Sequence, residues 1–152
     1  MQTIVYIDAS NLKFGVEQSN WSLDYKSFRS WLRDKFDATR VVLFLGLVPR
    51  HTGLYNSLQR VGYELSFRPI TIGKDGKTKG NVDGELILQV AQDYYEKKLS
   101  KAVLVSGDGD YHCIVEFLKE KKRTCYSGIT KQKISFTLIE TYQRTNCYSR
   151  RF

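Results

Sequence analysis

Short apolar runs alternate with helical patterns along this chain of 152 residues. The runs suit buried strands and cover residues 3–7, 41–45, 63–70, 102–105 and 124–129. Apolar residues at helical spacing cover 23–36, 52–61 and 83–98, follow Asp110, and resume from Ser135. Such alternation predicts a parallel sheet with right-handed crossovers and helices on both faces. We therefore expect a Rossmann-like α/β fold with a mainly parallel five-stranded sheet of order 3-2-1-4-5.

The length and composition limit the class of protein. A chain of this size forms one domain that buries a core without disulfides, expected here at residues 1–145 with a short basic tail at 146–152. No apolar run approaches the roughly 20 residues of a membrane span, and no signal peptide is visible. We therefore expect a cytoplasmic protein without membrane partners. The three cysteines lack the short spacing of zinc ligands.

The chain is strongly basic, with a net charge of +8 and a pI near 9.4. This excess of lysine and arginine favours a polyanionic partner such as nucleic acid, although solubility alone is an alternative reason for it. Residues 71–82 contain three lysines and three glycines, and we expect them to form a mobile basic loop.

Four aspartates are predicted to share one edge of the sheet. Asp8 follows the first strand, Asp83 starts the helix after the third, and Asp108 and Asp110 follow the fourth. Because the C-terminal ends of parallel strands meet at one edge, these carboxylates converge where α/β proteins bind ligands. Local roles stay open: helix capping for Asp108 or Asp110, complementing a helix dipole for Asp83, and turn formation for Asp8 with Asn11.

Crowded carboxylates of this kind indicate a cation site. Like charges in one crevice repel each other and raise each other's pKa unless a cation neutralises them. Ligation by oxygen alone suits Mg²⁺ or Mn²⁺ better than zinc. Such a centre orients a water for in-line attack on a phosphodiester and stabilises the charge that develops. A basic surface that holds the substrate backbone is consistent with the same chemistry.

The chain contains, in this order, YIDASNL at 6–12, KGNVDGEL at 79–86 and VSGDGDYHCIVEFLKEK at 105–121. These three motifs together resemble the NYN domains, a branch of the PIN-like nuclease superfamily. SFTLIETYQ at 135–143 is similar to the family's final helix, so the resemblance covers about residues 2–142. It implies a metal-dependent ribonuclease with an acidic pocket at the C-terminal edge of its sheet.

The resemblance also implies a role for each matching residue. The acids that coordinate Mg²⁺ or Mn²⁺ and activate water would be Asp8, Asp83, Asp108 and Asp110. Substrate-binding positions beside them would be Asn11, Lys79 and Ser106, with Lys79 facing a phosphate.

This chain departs from the family pattern without losing a carboxylate. Gly109 replaces a small polar residue between the last two acids, and Tyr111 stands where phenylalanine is more frequent. Residues 122–124 lack the glycine that often precedes the fifth strand.

The alternative to an RNA-cleaving enzyme is an RNA-binding module with little or no activity, in which the basic surface carries the function. Phosphoryl-transfer proteins on a similar sheet fit poorly. A phosphatase of the haloacid dehalogenase type needs a second aspartate at position 10, which is Ser10, and a receiver domain needs an aspartate where this chain has residues 70–72. RNA, single-stranded or structured, is the expected partner, and assembly as a homodimer stays open.

Overall fold

A computed structural model of the protein describes residues 1–18, 21–69, 71–72, 74, 78–79, 82–127 and 148–150. In chain order the strands and helices are β1 Gln2–Asp8, α1 Ala9–Gln18, β2 Trp21–Leu23, α2 Tyr25–Phe36, β3 Ala38–Gly46, α3 Thr52–Val61, β4 Glu64–Arg68, β5 Thr71–Ile72, β6 Thr78–Lys79, α4 Asp83–Tyr95, β7 Leu99–Val105, α5 His112–Glu120, β8 Thr124–Ser127 and β9 Tyr148–Arg150. Short 3₁₀ turns at Pro49–His51 and Gly109–Tyr111 precede α3 and α5.

Five of the strands form one sheet in which every neighbouring pair is parallel. Its order is β4-β3-β1-β7-β8, which corresponds to the third, second, first, fourth and fifth predicted strands. The predicted order 3-2-1-4-5 is therefore confirmed. β1 lies at the centre, where Val5 is opposite Val41 on one side and Val103 on the other. The C-terminal ends of all five strands consequently meet at one edge.

The sheet separates two hydrophobic cores. Val5 and Ile7 of β1 point into a core closed by α1, α2 and α3, and Ile4 and Tyr6 point into a core closed by α4 and α5. Because strand side chains alternate between the two faces, a strand buried on both faces must be apolar throughout. The runs that predicted the strands are apolar for this reason, and helices on both faces are confirmed.

Two helix ends are capped by residues suited to those positions. The carboxylate of Asp24 accepts a hydrogen bond from the Lys26 amide at 3.1 Å and another from the Ser27 hydroxyl, so α2 begins at Tyr25. Gly62 ends α3 with φ of +99°, a left-handed conformation that glycine adopts without strain.

Other elements differ from the prediction. Residues 9–18 form α1, a helix that the sequence pattern did not predict. β5 and β6 pair antiparallel within the segment expected to be a mobile loop. β9, which lies in the expected tail, pairs antiparallel with β2. The helix expected from Ser135 and the end of the fifth predicted strand, residues 128–129, lie outside the described residues.

A buried ion pair fixes α4 against the sheet. Asp93 of α4 is fully buried, and Nη1 of Arg40 on β3 donates to both of its carboxylate oxygens at 2.9 and 2.8 Å. The Tyr6 hydroxyl on β1 donates to the same carboxylate at 2.9 Å. Because α4 starts at Asp83, this anchor near its C-terminal end helps to determine where that acid lies. Among the described residues, no helix combines the length and apolar content needed to cross a bilayer.

Candidate metal centre

Asp8 lies at the C-terminal end of β1 and is 2% exposed. Its Oδ1 accepts hydrogen bonds from the backbone N–H groups of Ser10 and Asn11, at 3.0 and 3.1 Å. Its Oδ2 accepts from the Asn11 side-chain amide at 2.8 Å. Asp8 therefore stabilises the start of α1, since the first N–H groups of a helix have no partners within it. The sequence suggested that Asp8 and Asn11 form a turn. The structure confirms local hydrogen bonds between these residues, but the element they stabilise is the start of a helix.

The second strand end that contributes acids is that of β7. Asp108 accepts a hydrogen bond from the Asp110 backbone N–H at 3.0 Å, and its own N–H donates to the Ser106 hydroxyl oxygen at 3.1 Å. Asp108 is thus the N-cap of the 3₁₀ turn that leads into α5. Its φ and ψ are those of an extended residue, and the turn that follows presents Asp110 to solvent.

Asp83, the first residue of α4, brings a third segment to this edge. It is 8% exposed, and one carboxylate oxygen each from Asp83, Asp108 and Asp110 lies within 4.8 Å of the others. The residue that occupies the N-cap position of α4 is Val82, which makes no side-chain capping bond. The acid at the start of α4 therefore faces the other carboxylates, as the sheet topology predicted.

Tyr111 connects Asp8 to this group of three acids. The tyrosine is fully buried, and its hydroxyl oxygen lies 2.6 Å from Oδ1 of Asp83 and 2.9 Å from Oδ2 of Asp8. Burial, the hydrogen bond to Asp83 and the charge of Asp8 all raise the pKa of Tyr111 well above its ordinary value of 10. The phenol therefore keeps its proton, and its single O–H lies within hydrogen-bonding distance of both carboxylates and donates to one of them at a time.

The sequence prediction missed this role of Tyr111. It noted the tyrosine only as a departure from a more frequent phenylalanine. The available signal was a hydroxyl one residue beyond Asp110, at a position where the helical pattern points inward. A buried hydroxyl needs a hydrogen-bond partner, and the acids at the edge of the sheet are the partners within reach.

The structure brings most of the predicted site residues together. Asp8, Asp83, Asp108 and Asp110 lie at one edge, and Asn11 and Ser106 hydrogen-bond to two of these acids. Asn11 thus supports the Asp8 carboxylate directly, whereas Ser106 holds the backbone N–H of Asp108. The backbone of Lys79 lies in β6, but its side chain is outside the described part of the chain.

The chemistry of these donors fits a hard divalent cation. Three carboxylate oxygens from three positions are close enough to share one ion, and oxygen ligands are those that Mg²⁺ and Mn²⁺ prefer. Asp83 and Asp8 are buried, so a cation there would relieve the cost of holding negative charge away from water. The nearby N-termini of α1 and α4 supply part of that compensation.

Comparison with known proteins identifies a solved structure of similar fold and a matching family. A crystal structure of a protein of unknown function from Vibrio parahaemolyticus RIMD 2210633 is similar in fold, with a TM-score of 0.67 and 22% identity over 82% of this chain and 78% of that chain. No curated protein matches significantly. The family model of the NYN domain matches residues 2–144, which is nearly the whole chain. The chain therefore belongs to the NYN domain family, within the PIN-like superfamily.

Proposed function

We propose that this protein is a metal-dependent ribonuclease that hydrolyses the phosphodiester bonds of RNA with Mg²⁺ or Mn²⁺. The observation that carries the proposal is the group of Asp83, Asp108 and Asp110 oxygens within 4.8 Å, extended to Asp8 through the hydroxyl of Tyr111. Membership of a nuclease-like family and the net charge of +8 support the same reaction class and a polyanionic substrate.

The acids of the centre would have different roles, because they differ in position and exposure. Asp83, Asp108 and Asp110 would hold the cation, because their oxygens are close enough to share it. The bound cation supplies a Lewis acid that offsets the charge of the phosphate and lowers the pKa of a water. Asp110 is exposed, so its carboxylate is the one best placed to accept a proton from a water that arrives from solvent.

Asp8 has a different environment from the other acids. Its two oxygens accept four hydrogen bonds, from Ser10, Asn11 and Tyr111. An ionised carboxylate has about four lone-pair sites, so these bonds hold Asp8 in one orientation. We infer that Asp8 fixes the negative charge beside the cation, and that it exchanges one of these bonds if it also ligates the ion.

The experiment that tests the function is cleavage of an end-labelled single-stranded RNA with Mn²⁺, with Mg²⁺ and with EDTA. The wild-type protein is compared with the double variant Asp8→Asn/Asp108→Asn. Asp37→Asn is the matched control, because it makes the same chemical change at an exposed residue just before β3, at the opposite edge of the sheet. We expect metal-dependent cleavage by the wild type and by Asp37→Asn, and none by the double variant.

Two outcomes would contradict the proposal. Cleavage that survives in the double variant would mean that the nuclease activity does not belong to these acids. RNA binding by the wild type without cleavage under either metal would move the function to the basic surface, which is the RNA-binding alternative.

A further inference from the structure

A groove between the outer surfaces of α2 and α3 is lined mainly by cations. Its volume is about 470 Å³, and the residues that line it are Lys26, Arg29, Ser30, Arg33, Arg60 and Val61. Four of the six carry a positive charge and none carries a negative one. Concentrated charge of one sign in a concave surface attracts ions of the opposite sign more strongly than scattered surface lysines do.

The spacing along α2 places these cations in one row. Lys26, Arg29 and Arg33, with the Ser30 hydroxyl between them, follow the i, i+3, i+4, i+7 pattern of a single helix face. The row is about 10 Å long at the usual rise per residue of a helix. A row of this length can contact more than one phosphate of a nucleic-acid strand.

The guanidinium of Arg29 is held in one position within the groove. Its guanidinium donates to three backbone carbonyls: that of Gly62 at 3.2 Å, that of Ala38 at 3.4 Å and that of Thr39 at 3.3 Å. These bonds connect α2 to the end of α3 and the start of β3, so the charge is held without the loss of side-chain freedom that binding usually costs. Carbonyl groups do not neutralise the guanidinium, and its charge remains available to an anion.

The other cations of the groove are available as well. Among the described residues, no acid lies within ion-pair distance of Lys26 or Arg60, and both side chains are exposed; Lys26 is near enough to Asp24 for its charge to help lower the pKa of that carboxylate. Arg33 contacts Asp34 through Nε at 2.9 Å, which leaves the two terminal nitrogens of its guanidinium for another acceptor. Both side chains of that pair are mostly exposed, and ion pairs of this kind contribute little to the stability of the fold.

The groove is separate from the candidate metal centre. Ala38 and Thr39, which Arg29 contacts, begin β3 and therefore lie at the N-terminal edge of the sheet. Asp8 ends the neighbouring parallel strand β1, at the opposite edge. An anion in the groove would thus be bound remotely from the site of cleavage.

We propose that this groove binds the phosphate backbone of single-stranded RNA and anchors the substrate outside the cleavage site; the identity of the ligand rests on the proposed function. The lining has no aromatic residue on which a base could stack, so the contact is with phosphates and is independent of sequence.

The test measures binding of a fluorescein-labelled single-stranded RNA in EDTA, where no metal-dependent cleavage occurs. The groove variant is Lys26→Gln/Arg33→Gln/Arg60→Gln, which leaves Arg29 and its structural bonds intact. The control variant Lys35→Gln/Lys101→Gln/Lys119→Gln removes the same number of exposed charges elsewhere, one of them from another face of α2. Circular dichroism and thermal melting confirm that both variants fold.

We expect the groove variant to bind RNA at least about tenfold more weakly than the control, with a log–log salt slope smaller by about 2, as expected for three lost phosphate contacts on a single strand. Equal weakening of the two variants would overturn the proposal, because general charge would then explain the binding. Loss of binding to phosphatidylserine vesicles without loss of RNA binding would also overturn it, in favour of a membrane surface.

Cleavage kinetics separate this inference from the proposed function. With Mn²⁺, the groove variant should show a raised KM for RNA and an unchanged kcat, because the groove is remote from the acids. If the wild type cleaves no RNA, the proposed function fails, but the comparison in EDTA still decides whether the groove binds RNA. If cleavage is normal and the two triple variants bind equally, the groove proposal alone fails.

Discussion

The hydroxyl oxygen of Tyr111 lies 2.6 Å from Oδ1 of Asp83, and this contact joins the turn after β7 to the first residue of α4. The same oxygen is bonded to Asp8, so one phenol connects two carboxylates and thereby joins three separate parts of the chain. Two oxygens that share one hydrogen-bonding partner cannot lie farther apart than the two bonds added together. Tyr111 therefore limits the separation of Asp8 and Asp83, although it supplies no negative charge itself.

Replacement of Tyr111 by phenylalanine is expected to weaken metal binding without unfolding the protein. The ring would still fill its buried position, but Asp8 and Asp83 would lose their common donor. Loss of a supporting hydrogen bond of this kind typically costs about 10- to 100-fold in metal affinity or activity. Titration with Mn²⁺, followed by electron paramagnetic resonance of the free ion, measures the change.

The control for that substitution is Tyr63→Phe. Tyr63 is also buried, and its hydroxyl donates to the Tyr25 carbonyl at 2.8 Å, far from the acids along the chain and on the other face of the sheet. Both variants should lose about 1 kcal/mol of stability with the hydrogen bond. Only Tyr111→Phe should lose affinity for Mn²⁺, and equal affinity in the two variants would show that Tyr111 has a merely structural role.

Replacement of Arg40 by methionine is expected to be strongly destabilising. It would leave Asp93 fully buried without its charged partner, and breaking a buried pair in this way costs about 3–5 kcal/mol. Arg33→Met is the matched control, because its partner Asp34 is mostly exposed and the loss should be below about 1 kcal/mol. Urea unfolding followed by circular dichroism gives both free energies, and a small loss at Arg40 would show that Asp93 is not held by that pair.

The contact between Arg40 and Glu64 predicts a pH dependence of stability. Hydrogen bonds from the guanidinium, both 2.6 Å, lower the pKa of Glu64 below its ordinary value of 4.5. A carboxylate with a lower pKa in the folded state stabilises the protein above the unfolded pKa and loses that contribution as the pH falls.

Unfolding free energies measured from about pH 6 down to about pH 3 should therefore fall less steeply for Glu64→Gln than for the wild type. Because the Glu64 side chain is half exposed, the difference will be small. Parallel curves for the two proteins would mean that the carboxylate has the same pKa when folded and unfolded.

Substitution by alanine is expected to have opposite effects on stability at two glycines, one within α3 and one at its C-terminal end. Gly62 has φ of +99°, so Gly62→Ala should cost about 1–2 kcal/mol. Gly53 lies within α3, and a Cβ there would meet nothing within 4 Å, so Gly53→Ala should stabilise by about 0.5–1 kcal/mol. Thermal melting of the pair provides the comparison, and the same sign at both positions would contradict the conformational explanation.

The sequence was most informative where burial alone determines the structure. Val41 to Leu45 must be apolar on both faces because β3 is covered on both faces, so the pattern predicted the strand directly. The convergence of the acids followed from the strand order, which the structure confirms. By contrast, α1 was missed because only Leu12 and Val16 of its ten residues are buried, and its exposed face gave no clear periodicity.

Contacts between distant side chains could not be read from local patterns. Tyr111 and Asp8 are 103 residues apart, and neither residue carries a local signal of the other. Three of the four hydrogen bonds to Asp8 likewise depend on α1 starting immediately after it. The sequence predicted which acids meet, but the hydrogen bonds that orient them depend on atomic positions.

The central place of β1 has a consequence for the order in which the protein folds. β1 is the first of the five sheet strands in chain order, yet one of its two neighbours is β7, which begins at Leu99. Until β7 pairs with it, β1 has an open edge, and closure over so long a segment is slow. Asp8 and Tyr111 can meet only after that step, so the acidic centre is completed late, and a partly synthesised chain ending before β7 would have no means of holding the cation that the finished protein is proposed to use.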